Sequence, residues 1–226
     1  MAGRTKRRQT SGLGSNILLS LVLITFIFTL AVVIILNFKW LYYADITLLG
    51  IEKESGMDVS SIKANYDALI EYNRFWFRGE LKFPNLIMSE TGRIHFREVK
   101  QIFVVIQYLC MITFVASLIG IIKKKRRGQY GYLKITGLLS FSIPVVAGIS
   151  ALLYWDSFFA LFHKILFRNN YWLFDSKTDP VILILPDAYF MHCAIGILLI
   201  IFLAGMICLK LDKRKRQAAA IRRRRK

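Results

Sequence analysis

The chain predicts an all-α integral membrane protein, with four transmembrane helices and two extracytoplasmic loops that carry amphipathic or interfacial helices. Three observations point there. The composition is 55% hydrophobic with a mean hydropathy of +0.46, too apolar for an ordinary water-soluble domain. Four runs (17–36, 102–122, 135–155 and 188–209) contain no charged residue, and each holds 20 to 22 residues. About 20 residues cross a hydrocarbon core at roughly 1.5 Å per residue. Charge is also lopsided. Residues 1–16 and 123–134 carry four and six cations with no acid, and 210–226 carries ten with one acid. Residues 39–100 are neutral overall and 156–187 sum to −1. Positive charge marks the cytoplasmic side, which places both termini and the short basic loop inside the plasma membrane and both long loops outside.

The elements follow in order. Residues 1–16 form a cytoplasmic basic N-terminus and 17–38 the first transmembrane helix. Arg4, Lys6, Arg7 and Arg8 ahead of an apolar run imitate a signal peptide. The run is longer than a signal core, and Asn37-Phe38-Lys39-Trp40 is no small-residue cleavage site, so it reads as a retained anchor. Residues 39–100 form extracytoplasmic loop 1, too long for a plain connector. Within it Ile62, Tyr66, Leu69, Ile70 and Asn73 fall at helical spacing, with Asp58 or Ser60 as N-cap. Tyr72, Phe75, Trp76 and Phe77 suit interfacial anchoring. Pro84, Asn85, Ser89 and Gly92 are read as turns before the chain re-enters the membrane at 95–101.

Residues 101–122 make the second transmembrane helix, 123–134 a cytoplasmic basic loop and 135–155 the third helix. Residues 156–187 are extracytoplasmic loop 2. There Asp156-Ser157 offers a cap, and the apolar stretch from Phe158 to Phe167 is too short to span but suits an interfacial helix. Pro186 opens the last span, 188–209, and 210–226 is a cytoplasmic basic tail. Topology and anionic headgroups account for that tail. No aromatic residue is interleaved with its arginines to stack on bases, so nucleic acid is not an expected partner. Cys110, Cys193 and Cys208 all fall within predicted spans, leaving no disulfide framework for the loops and no lipobox cysteine after the first span.

Two histidines carry the chemical interest. His95 and His163 stand where the outer loops meet or dip toward the membrane, and imidazole moves protons near neutral pH. If the second helix extends outward through His95-Phe96-Arg97-Glu98-Val99-Lys100, Glu98 shares a face with His95 and could orient its ring. His163 sits among Phe158, Phe159, Phe162 and Phe167, an apolar setting that favours the neutral base. His192, one turn into the last span, reads as structural. A metal site using both histidines with Asp175 and Asp179 competes, but no H-E-x-x-H, H-x-H or cysteine pair supports it, and no G-x-S-x-G supports a serine hydrolase. No metal or cofactor is expected. The bland alternative is a non-enzymatic membrane protein that binds lipid or a partner through its outer loops.

The string from His95 to Lys100, then Phe162-His163-Lys164-Ile165-Leu166-Phe167, then Asn170, Trp172, Phe174, Asp175 and Asp179, resembles the bacterial lipoprotein intramolecular transacylase family (Lit). Asn65-Tyr66 and Leu69-Ile70 with Tyr72, and the four-span layout, are similar too. The likeness covers nearly everything except the basic tail. Glu98 stands where Asp is equally expected, which keeps the carboxylate. The resemblance implies movement of the sn-2 acyl chain of a diacylglyceryl-cysteine onto that cysteine's α-amino group, giving a lyso-form lipoprotein. Diacylated lipoproteins would be the substrate and membrane lipids the surroundings. His95 and His163 would be the acid/base pair and Glu98 the orienting group. Arg97, Arg168, Asn170 or backbone amides are the choices for oxyanion donor. Trp172, Asp175 and Asp179 would support the site.

Overall fold

The computed structural model describes residues 2–224. Helices are the only regular elements among them: α1 (Ala2–Asn37), α2 (Lys39–Leu48), α3 (Ile51–Ser55), α4 (Val59–Tyr72), α5 (Glu90–Arg126), α6 (Gly131–Leu153), α7 (Trp155–Leu166), α8 (Val181–Ile184) and α9 (Asp187–Arg224). Helices α1, α5, α6 and α9 each hold a stretch long and apolar enough to cross a membrane. Their outward residues are greasy: Leu18 is 65% exposed and Val146 69%. Such surface requires lipid as its solvent, and the protein is a multi-pass membrane protein.

Contacts divide the chain into two units. One comprises residues 1–31, 109–147 and 197–226. Lipid tails are as apolar as leucine, so helices there associate through close packing. Gly137 of α6 meets α9 this way. A Cβ at Gly137 would come within 2.6 Å of Leu209 Cδ2 and 3.2 Å of the Gly205 carbonyl. Polar contacts add to it. Ser20 Oγ donates to the Tyr132 carbonyl at 3.0 Å. Lys124 Nζ donates to Ser15, Asn16 and Gln129 side chains at 2.7, 2.6 and 3.1 Å.

The other unit comprises residues 32–108 and 148–196. Its core joins α2, α4, α8 and the start of α9. Tyr42 stacks on Tyr66 with ring centres 3.7 Å apart and donates its hydroxyl to the Ile184 carbonyl at 2.6 Å. The hydroxyls of Tyr66 and Tyr189 share a hydrogen bond of 2.8 Å. Around them Ile46, Ile51, Ile62 and Ile184 are almost wholly buried, each contributing roughly 1.5–3 kcal/mol. The expected amphipathic helix is α4, capped by Asp58, whose carboxylate accepts from Ser61 N at 2.9 Å. Asn65, on the buried face of α4, accepts from Asn85 N at 3.1 Å and so pins the loop ahead of α5.

Three local readings are corrected. Helix α6 ends at Leu153; Tyr154 leaves helical geometry at φ −144, ψ 51 and α7 starts at Trp155. Asp156 is therefore in the first turn of α7, where its charge suits the helix dipole, and is not the cap. Gly92 is inside α5 and not in a turn. It is glycine because a Cβ there would collide with the carboxylate of Asp179.

Candidate active site

Asp179 sets the start of α5. It is buried, and it accepts from Ser89 N at 2.8 Å and from Thr178 Oγ1 at 2.9 Å. Its fit against Gly92 locks the loop ahead of α8 onto the N-terminal turn of α5, with His95 three residues further along. Helix α7 presents His163 near its end, and Phe167, extended at the C-cap, donates its N–H to the His163 carbonyl at 2.8 Å. Between them the loop that follows α7 is tied to α5. Asn169 Nδ2 donates to both oxygens of Glu98, at 3.0 and 3.1 Å, and Asn169 Oδ1 accepts from Tyr171 N at 3.0 Å. Glu98 thus binds Asn169 and not His95; no hydrogen bond between Glu98 and His95 is seen among the described residues.

The two imidazoles come together. Their ring centres are 6.1 Å apart and their planes differ by 29°. His95 is 5% exposed and lies between the edges of Phe167 (4.7 Å) and Phe174 (5.4 Å). His163 packs on Phe159 at 4.3 Å and stacks on Trp172 at 4.6 Å. Phe162 is 5.5 Å from it, and Phe158 stacks on Trp155.

Hydrogen bonding defines which nitrogens are available. Nδ1 of His163 lies 2.8 Å from the Phe159 carbonyl. A carbonyl only accepts, so Nδ1 carries the proton and Nε2 of the neutral ring presents its lone pair. Burial pulls His163 below the ordinary histidine value, and the Phe159 bond opposes this in part. Nδ1 of His95 and Nε1 of Trp172 and Trp155 are buried with no hydrogen-bond partner among the described residues. A buried donor left unmade costs about 1–3 kcal/mol.

Other expected residues fall elsewhere. Arg97 is two residues from His95, a rotation of about 200° on an α-helix. It lines a cavity on the far face of α5 with Lys100 and Tyr108, so the structure does not bring it to the histidines. Arg168 and Asn170 are exposed. Asp175 folds its own turn, accepting from Lys177 N at 2.9 Å. Sequence reasoning missed Asn169 and the Phe159 carbonyl, and the only signal was position beside expected residues. It also missed Asp45, which holds His192 through Nδ1 at 2.9 and 3.0 Å.

Fold and geometry together describe a multi-pass helical membrane protein with two imidazoles converging in an aromatic setting. The profile of the family described as lipoprotein intramolecular transacylase Lit matches residues 17–190. The chain belongs to that family, so it is an acyltransferase whose substrates are lipoproteins. Its fold is similar to the membrane-integral lipoprotein intramolecular transacylase Lit from Bacillus cereus, with a TM-score of 0.91 and 35% identity, covering 94% of this chain and 99% of that one. Two variants of the Bacillus cereus enzyme, in which one histidine is replaced by arginine or by alanine, are also similar. Each has a TM-score of 0.86 and 34% identity, covering 97% and 96% of this chain and 98% and 99% of theirs. No curated protein matches the chain significantly.

Proposed function

We propose that the enzyme moves the sn-2 acyl chain of a lipoprotein's diacylglyceryl-cysteine onto the same cysteine's α-nitrogen, with His95 and His163 as the acid/base pair. The carrying observation is the 6.1 Å approach of two imidazoles whose chain positions are far apart. Amine and ester belong to one molecule, so the enzyme supplies geometry and proton transfer and no nucleophile of its own. The α-ammonium, with a pKa near 8, must first lose a proton. The nitrogen then bonds to the ester carbon and gives a proton to Nε2 of His163. The carbon–oxygen bond to the glycerol breaks, and the departing oxygen takes a proton by way of His95. One proton leaves nitrogen and one arrives at oxygen. For the tetrahedral oxyanion, the buried and unpartnered Trp172 Nε1–H beside His163 is the best-placed donor among the side chains expected or found near the pair.

Incubating the purified enzyme with a diacylglyceryl-cysteinyl peptide labelled in its sn-2 chain tests the reading. Fragmentation mass spectrometry should place the label on the α-nitrogen. Label released as free fatty acid would indicate a hydrolase, and label retained on glycerol a lipid-binding protein.

We also propose that both termini are cytoplasmic and both histidines face outward, from the cation-rich segments at 1–16, 123–134 and 210–226. Cysteines placed at Ser89 and Ser176 should react with an impermeant thiol reagent in intact cells, and one at Gly128 should not. Labelling of Gly128 alone would reverse the orientation.

A further inference from the structure

A cavity of about 570 Å³ opens on α5 away from the histidines. At 100° per residue, Arg93, Arg97, Lys100, Val104 and Tyr108 all fall within about 40° of the point opposite His95, and all five line this cavity. The loop before α5 adds Arg78 and Glu80. Four cations therefore face one carboxylate. Lys100 is already engaged: it donates to the Phe77 carbonyl at 3.2 Å and sits 4.2 Å over the Tyr72 ring. Arg93 pairs loosely with Glu90 at 3.8 Å. Arg78 and Arg97 form no ion pair among the described residues. Two guanidiniums that line one cavity with no carboxylate partner among the described residues match a phosphate, whose oxygens accept their N–H groups in pairs.

The cavity is also graded. Its α5 wall passes from Arg93 and Arg97 to Val104 and Tyr108, that is, from the charged start of the helix into its apolar run. A bare phosphate would satisfy the first half only. The volume is that of a site for a ligand many times larger than phosphate.

We propose that this groove binds an anionic phospholipid, its phosphodiester held by Arg78 and Arg97 and an acyl chain laid along Val104 and Tyr108. The site is separate from the histidine pair and stands independently of the acyl-transfer reading. It would seat a structural or regulatory lipid on the back of the helix that carries His95.

Native mass spectrometry of the full-length enzyme in detergent, titrated with phosphatidylglycerol or phosphatidylcholine, tests this. One phosphatidylglycerol should be retained at least about tenfold more strongly than phosphatidylcholine, and millimolar inorganic phosphate should not displace it. Arg78→Gln with Arg97→Gln should lower retention by about tenfold, as loss of charge-assisted bonds does. Val104→Trp, which narrows the apolar half and leaves the cations in place, should lower it as well. Lys53→Gln with Lys134→Gln, outside the groove, should not. Equal retention of the two lipids, or retention unchanged in both groove variants, would overturn the proposal. Displacement by inorganic phosphate would overturn it in favour of a phosphate site.

Discussion

His192 has a carboxylate for a partner, whereas His95 and His163 have each other. Asp45, buried to 2% exposure, holds His192 Nδ1 with both oxygens. Nδ1 and the carboxylate satisfy one another beside a core of tyrosines. At the other place the ring nitrogens are poorly satisfied. His163 uses one nitrogen on the Phe159 carbonyl and keeps the other as a lone pair, while His95 Nδ1 and Trp172 Nε1 are buried without partners. Burial of an unmade polar group is costly, and a folded protein tolerates it where a ligand completes the bond. We read the carboxylate-paired His192 as a tie between α2 and α9, and the two converging imidazoles with unmet hydrogen bonds as the pair that does the chemistry.

The largest difference between the two places should be in activity. His95→Ala and His163→Ala should each lower lyso-lipoprotein formation by roughly 10²–10⁴-fold, the usual contribution of positioned acid/base groups. The double substitution should be little worse than either, because groups acting as a unit fail together. Multiplied losses in a single-turnover assay would mean that the two rings act separately. Trp172→Phe should come next. It keeps the ring stack on His163 and removes the N–H, so turnover should fall by roughly 10²-fold with binding little changed, as loss of an oxyanion donor does. An unchanged kcat would return that role to another donor.

Substitution of His192 should have the opposite signature. Removing it strands the Asp45 carboxylate, and breaking a buried pair costs about 3 kcal/mol or more. His192→Ala should unfold at markedly lower temperature while turning over at the wild-type rate per folded molecule. A large loss of turnover with unchanged thermal stability would place chemistry at His192.

The smallest effect is in the pH profile. Both the substrate's ammonium and His163 must be deprotonated. Burial holds His163 below the ordinary histidine value of about 6.5, so the ring is still largely neutral at that pH. Log rate should rise with slope one up to about pH 8 and steepen to slope two only below that lower value. A slope approaching two already at about pH 6 would mean that the environment does not depress His163.

How much of this was legible in the sequence depended on the range of the interaction. The apolar runs announced four long helices, because hydrocarbon thickness leaves few alternatives for such segments. Helix α4 was readable from the periodicity of Ile62, Tyr66, Leu69 and Ile70 and from its Asp58 cap, both local signals. Helix α2 was not, since its buried aromatic residue, Tyr42, is covered by segments distant in the chain. Likewise nothing near Asp45 indicates that it meets His192, nor does anything near Glu98 indicate Asn169. Both pairings are made by tertiary folding. Arg97 is a different case: helical geometry alone turns it away from His95 once α5 is known to include both. Gly92 looked like a turn because glycine is common there, whereas its role is to admit the Asp179 side chain.

The most direct test compares three variants in one assay. The diacylglyceryl-cysteinyl peptide labelled in its sn-2 chain is presented to His95→Ala, His163→Ala and His192→Ala, each matched for folded protein, and the label is located by fragmentation. Label should lie on the α-nitrogen with His192→Ala and the wild type, and stay on glycerol with the other two. Label on the α-nitrogen with His163→Ala, at a rate near that of the wild type, would contradict the acid/base pair.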